Sequence, residues 1–441
     1  MIGVIFALVL SLMTGYFFVS LIDRELELRF RILFAIPAGF ALSSVFYFLY
    51  QCLDIYNFQN FRWFEMIALI VLALAYYNQE RPDMSKHKFK KLNNWFYLIN
   101  VYALMIFLKY FINNPMGSWD GFRIWNTKAE FLYLQSPLWK NVFTLPHFMS
   151  HCDYPLFLPS STARLWQYAG HQSFGANMIL GLLFTFGLVY LLYQALRYFK
   201  SEKVANVVCA VFMISDIFLV NGASQCADIP LAMFFLSAVV CLFFYLKNNR
   251  FSTLALGLIF AGMSVWVKNE GLMFFAIYAA VIFGRLLGEK KYQKALWAVV
   301  LSLPFTLGLF YFKKLTNSPN DLIFGFMETK SYLFAFDAHR YAVVLKTFIS
   351  LLLKKFALFL ALVLLCVKGF KLREKIKMPF VLSSIIFVLM IAGYAAVYIL
   401  APHDITWLVE NSMDRIILQI LPVFLFIFSI TLRIGKPDSI N

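Results

Sequence analysis

Charged residues are scarce in this chain. Asp, Glu, Lys and Arg make up 14% of its 441 residues, against about a quarter in an ordinary soluble domain. Hydrophobic residues make up 61%, which is more than one globular core can bury. An ordinary soluble globular protein is therefore excluded.

Cysteine is also rare. The six cysteines include no C-x-x-C pair and no metal-like spacing, so we interpret most of them as small buried apolar residues. Cys152 and Cys226 differ, because both adjoin a candidate Asp in a loop placed outside the membrane, and a disulfide between them is left open. The chain also lacks an internal repeat, a G-x-x-x-x-G-K-[ST] loop and an inverted pair of broken helices, which argues against an ATPase or a common transporter.

What the chain has instead is a series of apolar runs, each long enough for a helix to cross a bilayer. The runs are continuous rather than alternating, which excludes a membrane barrel. The first run lacks a basic start and a cleavage site, so we interpret it as a retained span. We predict an all-α polytopic membrane protein of about 13 transmembrane helices. They lie near residues 1–22, 32–52, 62–78, 95–113, 174–196, 204–221, 229–246, 252–267, 271–287, 295–312, 356–367 with a lead-in from about 345, 379–400 and 414–432.

Lys and Arg set the predicted orientation. The net charge is +16, but the basic residues form short clusters between spans rather than a basic face, so we expect no nucleic acid partner. More than half of the 39 Lys and Arg residues follow odd-numbered spans, as at 81–91 and 368–377, and the positive-inside rule places these loops in the cytoplasm. Two long segments, 114–173 and 313–355, then lie outside, and the first is predicted to form amphipathic helices on the membrane surface.

Ionisable residues gather at the predicted outer ends of the spans. Such residues are costly near hydrocarbon and are functional candidates by default. The stretches are Ser118-Trp119-Asp120-Gly121, His151-Cys152-Asp153-Tyr154-Pro155, Ala227-Asp228-Ile229-Pro230, Lys268-Asn269-Glu270-Gly271 and His403-Asp404-Ile405-Thr406-Trp407. We therefore predict an active site on the extracytoplasmic surface, with apolar spans beside it to hold a lipid tail.

The order of these stretches resembles the GT-C superfamily of polyprenyl-phosphate-sugar-dependent glycosyltransferases, in particular the bacterial protein O-mannosyltransferase and aminoarabinose transferase group. The resemblance covers residues 95–290, and more weakly 411–415. It differs in that Gly121 follows Asp120 where the family often has Asp-Glu, and in that three extra spans precede the match. The matching residues are Asp120 after an inside-to-outside span, Asp153-Tyr154-Pro155-Leu156, Asp228-Ile229-Pro230 opening an outside-to-inside span, and Lys268-Asn269-Glu270-Gly271 between paired spans.

The resemblance implies three parts: residues 1–94 with three N-terminal spans and a basic cytoplasmic loop, a catalytic module at 95–290, and C-terminal spans at 291–441. It also implies a multi-pass protein of the bacterial inner membrane, in contact with membrane lipid. Its donor would be a polyprenyl-phosphate sugar and its acceptor a glycan, lipid or protein.

Two carboxylates are the predicted catalytic residues, because glycosyl transfer needs a base for the acceptor hydroxyl and groups that stabilise the departing phosphate. Asp120 fits the base, although Asp-Gly could equally cap the following helix. Asp153 could orient the acceptor or simply hold a turn.

The predicted substrate-binding residues have alternatives as well. Lys268 could bind the donor phosphate or pair with Glu270, and Arg415 could add a second phosphate contact or pair with Asp414 or Glu410. Asp228 could touch substrate or cap a helix. The remaining candidates are Trp119, Trp125 and Tyr154 for stacking on a sugar, and His403 and His151.

No cofactor is predicted to be required, no metal site is assigned, and a divalent cation beside the histidines and Asp120 or Asp153 is left open. Two further acidic residues, Glu65 in the third span and Asp216 in the sixth, are interpreted as buried and paired with a neighbouring helix.

We therefore expect a membrane glycosyltransferase. One alternative is a lipid or polysaccharide transporter, which should place its ionisable residues near the bilayer midplane. The other is a polymerase or ligase that uses diphosphate-linked donors, which should depend on outer arginines more than on Asp120.

Overall fold

A computed structural model describes residues 1–53, 57–79, 94–144, 151–318, 330–357, 359–360 and 374–432. Within these ranges the chain is almost entirely helical and contains no β-strand. This agrees with the predicted all-α membrane protein, because a helix satisfies its own backbone hydrogen bonds where lipid offers no partner. The basic cluster at 81–91 and most of the one at 368–377 lie outside the described residues, as does most of the predicted span at 356–367.

Sixteen α-helices are described in these ranges, with short 3₁₀ and π segments between some of them. They are α1 Ile2–Ile22, α2 Leu28–Cys52, α3 Phe58–Tyr77, α4 Asn94–Asn113, α5 Thr127–Tyr133, α6 Phe157–Ala169, α7 Phe174–Phe199, α8 Glu202–Met213, α9 Asp216–Ala223, α10 Asp228–Asn248, α11 Phe251–Val265, α12 Asn269–Gly288, α13 Tyr292–Thr316, α14 Ala338–Lys354, α15 Glu374–Leu400 and α16 Ile405–Ser429.

Ten of the described helices are long and apolar enough to cross a membrane, or eleven if a bent pair counts as one span. The bent pair is α8 and α9, which meet at 65° where one continuous span is predicted. Helix α11 has only 15 residues, about 22 Å of helix, and is too short to cross a hydrocarbon layer of about 30 Å without its flanking residues.

The bundle is built around α10, whose residues from Asp228 to Tyr245 are all buried. Helices α7, α11, α15 and α16 surround it. Close packing replaces the hydrophobic effect as the attraction between helices in lipid, so small residues and aromatic contacts matter. Between α1 and α2 a Cβ on Gly39 would lie 1.9 Å from the Ser11 carbonyl oxygen, so only glycine allows this approach.

Contacts between helix ends show that some connections between helices lie at one end of the bundle and others at the opposite end. At one end Asp23, after α1, accepts a 2.7 Å hydrogen bond from Thr253 at the start of α11. At the other end Tyr47 and Gln51 of α2 donate to the Leu132 carbonyl at 3.0 and 3.1 Å. This grouping agrees with the predicted alternation, since Leu132 of the first outer segment contacts α2 near the end at which α2 finishes.

The first outer segment departs from the prediction of helices lying on the membrane surface. Helix α6 is enclosed by α1, α2, α5 and α7, and nearly all of its residues are buried. Its one charged side chain has a partner inside the protein, because Arg164 pairs with Glu65 at 2.7 Å. Phe157, at its start, packs edge-on against Phe184 and Phe234. The prediction of surface helices is therefore wrong for α6.

The second outer segment contributes α14, which lies beside the outer half of α16. Arg340 anchors its start by donating to the carbonyls of Tyr398 at 3.1 Å and Ala401 at 2.7 Å, where α15 ends. Side chains of α14 and α16 enclose a small apolar cluster. These helices form a wall next to the residues predicted to be functional.

Candidate functional site

Seven side chains, which we call the polar cluster, meet at the predicted outer end of the bundle. They are Asp120, Asp153, Asp228, Lys268, Glu270, Lys313 and Arg415.

Lys268 lies at its centre, between the end of α11 and the start of α12. Its Nζ is 2.9 Å from Asp228 Oδ1 and 3.0 Å from Glu270 Oε1. Lys268 is only 6% exposed, so it lies inside the protein, and the pair with Glu270 that was the alternative to phosphate binding is present. Burial opposes its charge, but the two carboxylates outweigh burial and raise the pKa of Lys268 well above its usual value.

Asp228 is the first residue of α10, and the N-cap position before it is Ala227. Oδ1 of Asp228 accepts hydrogen bonds from Lys268 and, at 2.6 Å, from Nε2 of Gln419. Gln419 in turn accepts a 2.7 Å bond from the Tyr394 hydroxyl. A continuous buried chain of polar contacts thus joins α15, α16, α10 and Lys268.

Asp120 does not act as a helix cap. It precedes the π-helical turn Gly121–Asn126 and makes no cap bond there. Its carboxylate instead accepts a hydrogen bond from Nη1 of Arg415, on α16. The side chains of Asp120 and Arg415 are 24% and 25% exposed, so this pair is the accessible edge of the polar cluster.

Arg415 takes neither of the acidic partners expected for it near by in the sequence. The side chain of Asp414 pairs with Lys355 at 2.6 Å, and Glu410 is exposed. The charge of Arg415 also acts on Asp228, which places the pair with Asp120 directly beside the buried part of the cluster.

Asp153 enters the polar cluster from the first outer segment. It is buried, and its Oδ2 accepts a 2.7 Å hydrogen bond from Asn269 and lies 3.4 Å from Nζ of Lys313. The carboxylate therefore ties this segment to the start of α12 and the end of α13.

Some of the candidate aromatic rings are covered by other side chains, and one is exposed. Tyr154 stacks on Trp125 at 5.6 Å and on His151 at 4.5 Å between ring centroids, with the Lys268 ammonium 5.6 Å from its ring. Burial and the negative charge of Glu270 raise the pKa of Tyr154. Trp125 is buried, whereas Trp119 is 66% exposed. Trp119 therefore has an open ring face, whereas Trp125 and Tyr154 are covered by other side chains.

His403 lies in the connection between α15 and α16. It is exposed, its carbonyl accepts from Arg340 at 3.4 Å, and its ring centroid is 6.5 Å from that of Trp407. Within the described ranges, the His403 side chain makes no hydrogen bond or ring contact with the polar cluster.

The metal and disulfide alternatives gain no support. Within the part of the chain that the structure describes, no three His, Cys, Asp or Glu side chains are arranged to hold a metal ion. The donors present do not fit a metal, because Asp120, Asp153 and Asp228 are each engaged by a nitrogen donor of Arg, Lys, Asn or Gln. Cys226 is a free thiol, so it forms no disulfide with Cys152.

The two remaining acidic residues differ. Glu65 is buried and paired with Arg164 of α6, which confirms its expected pairing with a neighbouring helix. Asp216 is exposed in the first turn of α9, at the bend after α8, so its interpretation as a buried residue is wrong.

Sequence reasoning missed four members or neighbours of the polar cluster. Gln419 and Tyr394 are polar groups inside otherwise apolar spans, and that composition is the signal that could have identified them. Asn269 was quoted only as part of a motif, and Lys313 was assigned to the start of an outer loop although α13 continues to Thr316.

Comparisons of the sequence with protein families and with curated proteins, and of the structure with solved structures, found no match.

Proposed function

We propose that the chain is a membrane glycosyltransferase that moves a sugar from a polyprenyl-phosphate donor to an acceptor hydroxyl on the extracytoplasmic face of the bacterial inner membrane. The observation that carries the proposal is the accessible Asp120–Arg415 pair, which rests on a buried chain of polar contacts at one end of an apolar bundle. The family resemblance of the same residues supports it.

The chemistry divides between the two members of the pair. The acceptor oxygen attacks the anomeric carbon and its proton passes to Asp120. The bond between that carbon and the phosphate oxygen breaks, and its electron pair leaves with the phosphate. Arg415 suits the phosphate, because a guanidinium offers several donors in a planar fork. Phosphate binding would draw Arg415 away from Asp120 and leave the carboxylate available as a base.

The buried residues have a different part in this proposal. Lys268 lies between two carboxylates, so we assign it a positioning role instead of direct phosphate contact. Asp153 and Asn269 hold the first outer segment against α12, and thereby hold Asp120 near Arg415. Such preorganisation lowers the cost of aligning groups in the transition state.

Two alternatives each have one supporting observation. The bent pair α8 and α9, with Asp216 at the bend, is a feature also found in transporters, although these usually carry a second broken helix in a corresponding position. The accessible Arg415 would suit a polymerase or ligase with a diphosphate-linked donor.

The test is sugar transfer by the purified protein in nanodiscs. Polyprenyl monophosphate sugars, polyprenyl diphosphate sugars and no donor are compared, with an envelope extract as acceptor. Transfer from the monophosphate donor alone is expected. Transfer from the diphosphate donor alone would favour the ligase, and no transfer from either donor would contradict the proposal.

The side of the membrane is tested separately with a cysteine at Asn141, an exposed position in the first outer segment. An impermeant thiol reagent added to whole cells is expected to label Asn141→Cys. Labelling only after the cells are lysed would place the polar cluster in the wrong compartment.

A further inference from the structure

The outer half of α16 extends beyond the Asp120–Arg415 pair. Ten residues separate Ile405 from Arg415, which is about 15 Å of helix. One face of this half is apolar and buried, because Ile405, Val409 and Met413 pack with Tyr398 of α15 and with side chains of α14. The other face is open.

That open face is polar and aromatic, and it leads to Arg415. Trp407 is 60% exposed, and Glu410 and Asn411 are exposed as well. The side chain of Asn411 donates to the Trp407 carbonyl at 2.7 Å, and Nη2 of Arg415 lies 3.5 Å from the Asn411 carbonyl. Residues four apart share a helix face, so Trp407, Asn411 and Arg415 form one stripe. A helix face that carries Glu410, Asn411 and Arg415 is expected to meet water instead of lipid.

The neighbouring helix α14 shows the opposite exposure. Tyr341, Leu345, Ile349 and Leu353 are exposed at four-residue spacing, as expected of a surface that meets lipid. The wall therefore has an apolar outer side on α14 and a polar side on α16, and the polar side borders the polar cluster.

A second exposed indole is next to the pair in the sequence. Trp119 directly precedes Asp120, so the contact between Asp120 and Arg415 joins the segment that carries Trp119 to the end of the Trp407 stripe. Flat apolar rings beside a few amide and carboxylate groups can cover the C–H face of a pyranose while bonding its hydroxyls. A lipid tail would need an apolar surface instead.

We infer that Trp119 and Trp407, with Asn411 and Glu410, form the acceptor subsite, and that the acceptor is a carbohydrate instead of a lipid or a protein. This inference rests on the proposed glycosyl transfer. It assigns a binding role to Trp407, which the motif resemblance does not reach, and to Asn411, to which the resemblance assigns no role.

The experiment measures acceptor binding without donor, so that it does not depend on turnover. Fluorescently labelled oligosaccharides, released by mild acid from the envelope of the organism that makes this protein, are titrated with the protein in nanodiscs. Trp119→Ala and Trp407→Ala should each weaken binding by roughly threefold to tenfold, and Trp→Phe at either position should retain most of it. Trp63→Ala is the matched control, since Trp63 is 63% exposed on α3 and is not a member of the proposed subsite.

Loss of binding in both alanine variants, with Trp63→Ala unchanged and all variants equally monodisperse and thermally stable, would support the inference. Equal binding by wild type and the Trp119→Ala/Trp407→Ala double variant would overturn it. So would the absence of binding by wild type. Failure of sugar transfer from lipid donors would contradict the proposed function while leaving this binding result intact, so the two failures are distinguishable.

Discussion

Among the carboxylate–arginine pairs that join distant parts of the described chain, Glu65–Arg164 and Asp120–Arg415 differ in exposure. Glu65 and Arg164, at 2.7 Å, are 5% and 0% exposed, whereas Asp120 and Arg415 are about one quarter exposed. Both oxygens of Glu65 are bonded, one of them by the Tyr168 hydroxyl at 2.8 Å. The first pair holds helices together, whereas the second is open enough to exchange partners with a substrate.

The largest expected effect is the loss of turnover in Asp120→Asn, a variant that distinguishes a catalytic role of Asp120 from a structural one. An amide has the size of the carboxylate but cannot take the acceptor proton, so Asp120→Asn should lower turnover by about a hundred to ten thousand times. Its stability should stay near wild type, because the pair is partly open to solvent and the asparagine oxygen can still accept the hydrogen bond from Arg415. Transfer assays and thermal unfolding of the same preparation measure both.

Asp404→Asn is the control for this variant. Asp404 lies at the same end of the bundle and caps α16 by accepting a 2.8 Å bond from the Trp407 backbone, and asparagine caps about equally well. Both turnover and stability should be unchanged. Near-normal turnover in Asp120→Asn would remove Asp120 from catalysis and direct the search for a base to Asp153.

The buried pair should show the opposite behaviour. Glu65→Gln leaves the charge of Arg164 buried without compensation, which costs about 3–5 kcal/mol. Replacing both partners, as in Glu65→Leu/Arg164→Met, should recover most of that loss, because no buried charge remains. Thermal unfolding in detergent measures the three proteins. An unchanged midpoint in Glu65→Gln would mean that this pair does not hold α3 to α6.

Lys268 is expected to resemble the buried pair. Lys268→Ala removes the ammonium from Asp228, which is 1% exposed, so stability should fall towards the lower end of about 3–5 kcal/mol, since Gln419 still donates to the carboxylate. Lys268→Ala with wild-type stability but a raised donor KM would restore the role of a direct phosphate ligand.

The raised pKa of Lys268 predicts how the stability of the protein depends on pH. A raised pKa contributes stability that is present below the unfolded value of about 10.4 and is lost only as the pH rises through the higher folded value. Lys268 should therefore cause no loss of wild-type stability between about pH 6 and pH 9, which unfolding curves across that range measure.

The smallest expected effect concerns Arg415. Arg415→Lys keeps the charge but loses the planar fork of donors that suits a phosphate. The KM for the lipid donor should rise by about tenfold, with little change in stability. Steady-state kinetics at varied donor concentration measure this. An unchanged donor KM would mean that Arg415 only positions Asp120.

Sequence reasoning was most successful where the cause is local. Continuous apolar runs predicted helices at all twelve predicted spans that lie wholly or largely in the described ranges. The bend before Asp216 and the 15-residue length of α11 were missed. Both are set by packing against neighbouring helices, which hydropathy along the chain does not record.

The sequence by itself determined that this chain enters a membrane, because the transfer of an apolar run from water depends on its own side chains. The position of the ionisable residues at the ends of the spans could also be predicted, because it too depends on which side chains each run contains. Only the tertiary structure decided which of them pair. Asp120 meets Arg415 across 295 residues, and Lys268 is buried instead of exposed because α10 and α12 supply its two carboxylates. Burial and charge pairing are properties of neighbours in space, and those neighbours come from distant parts of the chain.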